Sequence, residues 1–253
     1  MTYVYVTGAP RTGTTFISDW ISDTENGYCC HEIADAIENF SSFHQIDEYL
    51  KLCASTGLDR KSKVHKFSSQ WWGALKIKHN PDIIGMKQPI SWPSAQTQPA
   101  GITTFLQQSD PHIIVMMRHP YDAIASGKSR ALNTNNWPNY TTEEHCLFWK
   151  YSVEFYLQLT QTSHKTMFIK WEDLMLNREY YRKQLNEFLS VRLSEDFIGD
   201  ERSAAELSDF KANVTLSGGV PANKSRKLLG AEDYHSIRDI TGSLCQMLGY
   251  QLY

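Results

Sequence analysis

The sequence predicts an α/β fold in which a central parallel β-sheet is flanked by helices. Short runs rich in β-forming residues alternate with longer helical stretches, an order that is typical of parallel sheets. The run Ile113–Met117 is apolar at every position, as expected for a strand that is covered on both faces. The 253 residues show no repeats or linkers, so we expect a single domain spanning residues 1–253.

The predicted elements follow one another in a regular order. Five strands are expected, at Tyr3–Thr7, Gly27–His31, Ile83–Lys87, Ile113–Met117 and Met167–Lys170. Helices are expected to follow them, including Thr14–Ser22, Tyr121–Ala131, Thr142–Thr160 and Tyr180–Leu189. Parallel sheets bind ligands beyond the carboxyl ends of their strands, so functional residues should cluster where these strands end.

The composition excludes several classes of protein. Hydrophobic residues make up 41% and charged residues 21% of the chain, a balance that argues against disorder. A net charge of -3 gives no overall attraction to nucleic acid, so a polyanionic ligand would need a local basic cluster. No apolar run reaches the ~18 residues of a membrane span, and no signal peptide is evident. Five cysteines indicate free thiols and predict a cytoplasmic protein, with a domain cut from a longer anchored protein as the alternative.

The segment Gly8–Thr15 links the first strand to the first helix. Its spacing nearly matches the G-x-x-x-x-G-K-[ST] loop, in which glycines let backbone N–H groups face a phosphate at a helix N-terminus. Thr14 stands where that loop has its lysine, and the positive charge lies earlier, at Arg11. The pattern predicts an anion site in a P-loop-like nucleotide-binding fold, and it gives little support to ATP. A glycine-rich turn without a ligand is the alternative.

The most apolar strand is followed by an arginine, Arg118. Phosphotransferases of the P-loop class place an acidic residue at such a position to hold magnesium. The next helix presents Ser126 and Arg130, which are four residues apart and therefore share one helical face. Two guanidinium groups and a hydroxyl suit a phosphate monoester. Separate surface charges at a strand end and a helix end are the alternative.

Together these two segments resemble the sulfotransferases that use 3′-phosphoadenosine 5′-phosphosulfate (PAPS). The loop Pro10–Thr15 resembles their 5′-phosphosulfate loop, and Arg118 with Ser126 has the spacing of their 3′-phosphate motif. Phe168–Leu174 is similar to the family's aromatic-Glu-Asp-Leu segment, and Met247–Tyr250 is similar to its usual ending. The resemblance covers nearly the whole chain. It implies an enzyme that moves a sulfuryl group from PAPS to an acceptor hydroxyl and releases 3′,5′-adenosine bisphosphate (PAP).

Within that family, the likeness is greatest to the protein-tyrosine, Golgi-type and bacterial branch. Arg11 replaces the lysine of the cytosolic branch, and Arg130 matches a 3′-phosphate arginine of the protein-tyrosine branch. Gly85–Pro89 resembles a Lys-x-Pro segment of that branch and lacks the histidine base of the cytosolic enzymes. Cys30–Glu32 resembles the segment that carries the branch's glutamate base.

The resemblance implies a role for each residue. Lys87 would neutralise the charge that develops on the bridging oxygen, and Glu32 would accept the acceptor's proton, which a carboxylate does at neutral pH when burial raises its pKa. Because a sulfuryl group carries less charge than a phosphoryl group, protein cations would replace a metal, and no metal is expected. The 5′-phosphosulfate would be held by Arg11 and by the backbone of the next four residues, Thr12, Gly13, Thr14 and Thr15.

Two alternatives to the base role of Glu32 stay open. His31 is adjacent, but strand alternation turns it to the other face, so at most one of the two faces the pocket. Glu32 would instead be an ion-pair partner of Arg11 or Lys87 if it does not act as a base.

Three further assignments follow from the resemblance. A mobile segment after Ser217–Pro221 would close over the nucleotide, with Arg226, or otherwise Lys224, reaching the 3′-phosphate; a solvated basic turn before the last helix is the alternative. Trp171 would lie by the adenine, or would be a structural tryptophan. The acceptor is a small-molecule, glycan or peptide hydroxyl, in a region rich in aromatic residues: Trp71, Trp72, Trp92, Trp137, Tyr140, Trp149 and Tyr156. Of these, Trp149 and Tyr156 have the helical spacing of core residues.

Two other function classes compete with sulfuryl transfer. The first is a P-loop kinase or nucleotide phosphotransferase, against which Thr14 and Arg118 both count. The second is a catalytically inactive nucleotide-binding module, which the loop and Arg118 alone do not exclude.

Overall fold

The computed structural model describes residues 1–56, 80–133, 137–197 and 227–252. These residues form a five-stranded sheet with helices packed on it. The strands are β1 (Thr2–Gly8), β2 (Gly27–His31), β3 (Ile83–Lys87), β4 (His112–Met117) and β5 (Thr166–Lys170). All five predicted strands are therefore confirmed, three of them with one or two more residues than predicted.

Nine α-helices lie within the described residues, together with a short 3₁₀ helix at Ala95–Thr97. The first five are α1 (Thr14–Ser22), α2 (Ala34–Ile37), α3 (Phe43–Thr56), α4 (Ala100–Ser109) and α5 (Pro120–Asn133). The others are α6 (Thr142–Leu159), α7 (Trp171–Leu176), α8 (Arg178–Leu189) and α9 (Ala231–Met247). Helix α5 begins one residue earlier than predicted because proline is well tolerated in a first helical turn. No helix in the described ranges is long and apolar enough to cross a membrane.

The sheet is parallel throughout, in the order β2-β3-β1-β4-β5. Strand alternation distributes its side chains between two cores. From β4, Ile113 and Val115 enter the core shared with α3 and α4, whereas Ile114 and Met116 enter the core shared with α1 and α8. This double coverage confirms what the continuous apolar run predicts. The strand order reverses beside β1, which places a ligand crevice at the carboxyl ends of β1 and β4.

Candidate active site

Five of the predicted site features lie at the carboxyl edge of the sheet: Glu32, Lys87, the loop 8–15, Arg118 and Trp171. The strand registers pair His31 with Lys87, Lys87 with Val6, and Gly8 with Met116. The residues that follow these positions therefore leave the sheet at one edge. From β2 to β5 the order is Glu32, Lys87, the loop 8–15, Arg118 and Trp171. Neighbouring strands lie about 4.8 Å apart, so the order along the edge is also an order in space.

The loop after β1 has the backbone conformation that its glycines predict. Gly8, Arg11 and Gly13 all have positive φ angles, of 141°, 71° and 96°. The Thr12 hydroxyl donates to the carbonyl of Ala9 at 2.8 Å and closes the turn from inside. Gly13 precedes α1 and has no side chain with which to cap it. The first N–H groups of that helix can therefore donate to an anion.

Gly13 also allows the loop to pack directly on Trp171. A Cβ atom at Gly13 would lie 2.3 Å from Cε3 of Trp171, so no larger residue fits. Trp171 contacts Phe16 edge-to-face at 5.6 Å and is only 4% exposed. The indole therefore packs directly against the loop at Gly13. Its contact with adenine stays a prediction.

Arg11 and Ser126 join the two motifs that the sequence places 115 residues apart. Nε of Arg11 donates to Oγ of Ser126 at 3.3 Å, and its guanidinium lies 5.9 Å from the ring centre of Trp137. Ser126 is 2% exposed and faces this contact from α5. Arg130 follows in the last turn of the same helix and is partly exposed. The loop and the helix that carries Ser126 are thus in direct contact.

Arg118 presents a hydrogen-bond donor that lacks an acceptor. Its guanidinium lies 6.0 Å from the ring centre of Trp171, and its buried Nε has no hydrogen-bond partner. A buried donor on a charged group costs free energy unless an acceptor satisfies it. A phosphate oxygen is an acceptor that suits a guanidinium.

Glu32 and Lys87 form an ion pair at the other end of the edge. Nζ of Lys87 lies 2.5 Å from Oε1 of Glu32, and the Glu32 N–H donates to the Lys87 carbonyl at 2.7 Å. Lys87 is 1% exposed, whereas the Glu32 side chain is 40% exposed. The ion pair with Lys87 is therefore observed, the burial expected of a carboxylate base is not, and the base role of Glu32 stays a prediction.

His31 faces away from this pair. Its Nε2 lies 2.9 Å from Oγ of Ser18 and 2.8 Å from Oδ1 of Asp19, both on α1. The separation from Glu32 has a different cause from the one that strand alternation suggests. Glu32 follows the last strand residue and has a φ angle of 53°, so a left-handed turn aims its carboxylate at Lys87.

Several predicted residues lie elsewhere or outside the described ranges. Trp149 is fully buried in a core, as its spacing predicts, and Tyr156 packs on Phe168. Trp71, Trp72, Lys224 and Arg226 lie outside the described residues. Within the described ranges, no three His, Cys, Asp or Glu side chains are grouped as a metal site requires.

One buried polar residue next to the Glu32–Lys87 pair, Gln88, is not among the predicted site residues. It is 7% exposed, and its side-chain oxygen accepts from the Ala34 N–H at 3.2 Å. The Thr7 hydroxyl donates to the Gln88 carbonyl at 2.9 Å. These bonds hold the segment after β3 against both β1 and the segment after β2. A polar residue directly after a buried strand was the available signal.

Comparisons with known proteins agree on one family. The Sulfotransferase domain model matches residues 2–227. The fold resembles the sulfotransferase domain of the Synechococcus PCC 7002 olefin synthase, with a TM-score of 0.59 at 16% identity over 100% of this chain and 96% of that one. It also resembles the sulfotransferase domain of the curacin biosynthetic pathway, with a TM-score of 0.60 at 16% identity over 100% and 99%.

A third similar structure is mouse sulfotransferase SULT7A1 complexed with PAP, with a TM-score of 0.50 at 12% identity over 97% of this chain and 84% of that one. A search of curated proteins gave no match. At these identities the solved structures show the fold, and the family model covers most of the sequence. The chain belongs to the sulfotransferase domain family.

Proposed function

We propose that this protein transfers a sulfuryl group from PAPS to the hydroxyl of an acceptor, without a metal. The order of side chains along the sheet edge carries this proposal. A carboxylate comes first, then a buried cation, the anion-binding loop, the unsatisfied Arg118 and finally Trp171. The reacting groups have the same order, from acceptor hydroxyl through sulfuryl group and 5′-phosphate to 3′-phosphate and adenine.

Each residue has one task in the transfer. The acceptor oxygen forms a bond to sulfur while its proton passes to Glu32. The bond between sulfur and the bridging phosphate oxygen breaks, and its electron pair stays on that oxygen. Lys87 neutralises the charge that develops there, and Arg11 with the N–H groups of α1 holds the 5′-phosphate. The products are a sulfated acceptor, PAP and a proton.

The ion pair between Glu32 and Lys87 fits this division of labour. Before the substrates bind, each group neutralises the other at 2.5 Å. The acceptor hydroxyl would replace Lys87 on the carboxylate, and Lys87 would then turn to the bridging oxygen. Lys87 is 1% exposed, so its charge acts with little solvent screening.

Ser126, Arg130 and Arg118 would bind the 3′-phosphate, and Arg226 would complete its site. The assignment of Arg226 rests on the family resemblance alone, because Arg226 lies outside the described residues. Lys224 is the alternative. The mouse structure with bound PAP supports PAP as the product.

The acceptor is a small-molecule, glycan or peptide hydroxyl in this proposal. All five cysteines are buried free thiols, which supports the proposed cytoplasmic location because such thiols persist in a reducing compartment.

PAP is expected to stabilise the protein against heat far more than ATP does. In this proposal Arg118, Ser126 and Arg130 form a cluster that binds a 3′-phosphate, which ATP lacks. A ligand present at a hundred times its dissociation constant adds about 2.7 kcal/mol to the free energy of unfolding. Scanning fluorimetry with each nucleotide at the same concentration measures the difference. Equal shifts for the two nucleotides would refute the proposed use of this cluster.

A further inference from the structure

The peptide plane between Arg118 and His119 is held by side chains from two helices. The carbonyl of Arg118 accepts from Nε1 of Trp149, on α6, at 2.9 Å. The N–H of His119 donates to Oε1 of Glu172, on α7, at 2.7 Å. With both polar atoms of the plane bonded, the backbone from which the Arg118 side chain extends has a fixed orientation.

The second carboxylate oxygen of Glu172 connects the Arg118–His119 peptide to Tyr250. The Tyr250 hydroxyl donates to Oε2 of Glu172 at 3.2 Å. Burial raises the pKa of the Glu172 carboxyl, while the His119 N–H and the Arg118 charge lower it. Burial and the neighbouring carboxylate raise the pKa of Tyr250, which therefore keeps its proton and donates.

A second hydrogen bond, from Gln251, holds the His119 ring; we call Tyr250 and Gln251 the tail. Nε2 of His119 lies 2.9 Å from the carbonyl of Gln251, and Nδ1 accepts from the Tyr121 N–H at 3.3 Å. Because a carbonyl only accepts, Nε2 carries the hydrogen and Nδ1 is the acceptor, which defines one neutral tautomer. Burial lowers the pKa of His119 and favours this neutral form.

The backbone at the end of α9 directs the tail toward Glu172 and His119. Gly249 has a φ angle of 72°, its N–H donates to Gln246 at 3.1 Å, and the Tyr250 N–H donates to Cys245 at 2.8 Å. This is the Schellman motif, which reverses the chain at a glycine. Nζ of Lys170 then donates to the carbonyl of Leu248 and lies 4.8 Å from the Tyr250 ring centre.

From these contacts we propose that Glu172 and the tail Tyr250–Gln251 form a clamp that positions Arg118 and thereby sets the selectivity for nucleotides with a 3′-phosphate. The clamp rests on the proposed function, because it acts through the phosphate that Arg118 binds. It gives a role to Glu172, in the segment Phe168–Leu174, and to the ending Met247–Tyr250, to both of which the family likeness alone assigns none. Glu172 and Tyr250 are positioning residues, since neither is placed against the nucleotide.

Calorimetry with PAP and with adenosine 5′-monophosphate (AMP), which lacks the 3′-phosphate, tests the clamp. Tyr250→Phe removes only the donor to Glu172, and Glu172→Gln is a second variant that keeps an acceptor oxygen. In each, we expect the preference for PAP over AMP to fall by roughly three- to tenfold, the equivalent of about one hydrogen bond, with AMP affinity unchanged. Arg118→Ala, the reference, should lose roughly ten- to a hundredfold in PAP affinity.

Tyr3→Phe is the matched control. The Tyr3 hydroxyl also donates to a carboxylate, Asp47, at 2.8 Å, but it lies at the start of β1, at the opposite edge of the sheet. This variant should keep the wild-type preference for PAP. If the wild type itself does not prefer PAP to AMP, the proposed function is wrong. If the wild type prefers PAP and Tyr250→Phe keeps that preference, or loses affinity for PAP and AMP equally, the clamp is refuted and Tyr250 is only structural.

Discussion

Glu32→Gln is expected to slow sulfuryl transfer by roughly 10²- to 10⁴-fold, the usual contribution of a positioned general base. Glutamine keeps the shape of the side chain and can still accept a hydrogen bond from Lys87, but it cannot accept the acceptor's proton. PAP affinity should stay unchanged because Glu32 lies two strands away from the loop after β1. Single-turnover transfer at saturating PAPS measures the rate.

The ion pair offers a second explanation for such a loss of rate, namely that Glu32 only orients Lys87. Acceptors whose hydroxyls differ in acidity distinguish the two explanations. If Glu32 is the base, an acceptor with a more acidic hydroxyl needs less help and the defect should shrink. If Glu32 only orients Lys87, the defect should not depend on acceptor acidity. Breaking a fully buried pair costs about 3–5 kcal/mol. We expect a smaller loss of stability here, because the Glu32 side chain is 40% exposed.

Two control variants complete this test. Glu48→Gln makes the same change on α3, at a side chain that is 67% exposed, and should leave the rate unchanged. His31→Ala should cost much less than Glu32→Gln, because its ring is bonded to Ser18 and Asp19. An inactive His31→Ala together with an active Glu32→Gln would contradict the assignment of the base.

Lys87→Met is expected to slow transfer by roughly 10²- to 10³-fold, the scale on which one stabilising donor acts in a transition state. Methionine fills similar space and removes the charge. Removing Lys87 leaves Glu32 unpaired, and because that carboxylate is 40% exposed we expect a smaller loss of stability than for a fully buried pair. Loss of activity in a protein that still folds is the combination that a catalytic cation predicts.

A donor with a better leaving group separates this role from a general effect on the site. If Lys87 neutralises the leaving oxygen, the defect of Lys87→Met should shrink with such a donor. Lys51→Met is the control, since Lys51 pairs with Asp47 on α3 at 2.7 Å and should tolerate the change. A defect of the same size with both donors would show that Lys87 does not act on the leaving group.

Local patterns were enough to predict the sheet and its loop. The apolar run after His112 and the glycines of the loop each reflect a constraint that acts within a few residues. The predictions for these segments are confirmed almost residue by residue. The rule that ligands bind at the carboxyl ends of parallel strands predicts that Glu32, Lys87 and Arg118 lie in one region.

Contacts between distant segments were not predictable in the same way. The bond from Arg11 to Ser126 spans 115 residues, and the bond from Tyr250 to Glu172 spans 78. Helix and strand periodicities act over a few residues and therefore predict neither contact. The Glu32 side chain was placed by strand alternation, but its left-handed backbone lies just beyond the strand, where alternation no longer applies. The burial of a carboxylate depends on the packed neighbours, which a single sequence does not list.

Transfer of labelled sulfuryl from PAPS, with a chelator present, directly tests whether this protein is a metal-independent sulfotransferase. Wild-type protein and Glu32→Gln are incubated with ³⁵S-labelled PAPS and a panel of phenols, sugars, alcohols and tyrosyl peptides. We expect the wild type to move the label to at least one hydroxyl acceptor and to release PAP in equal amount, while Glu32→Gln binds PAP and transfers almost nothing. Transfer of phosphate from γ-³²P-labelled ATP and Mg²⁺ to the same panel, with no transfer from PAPS, would refute the proposed function.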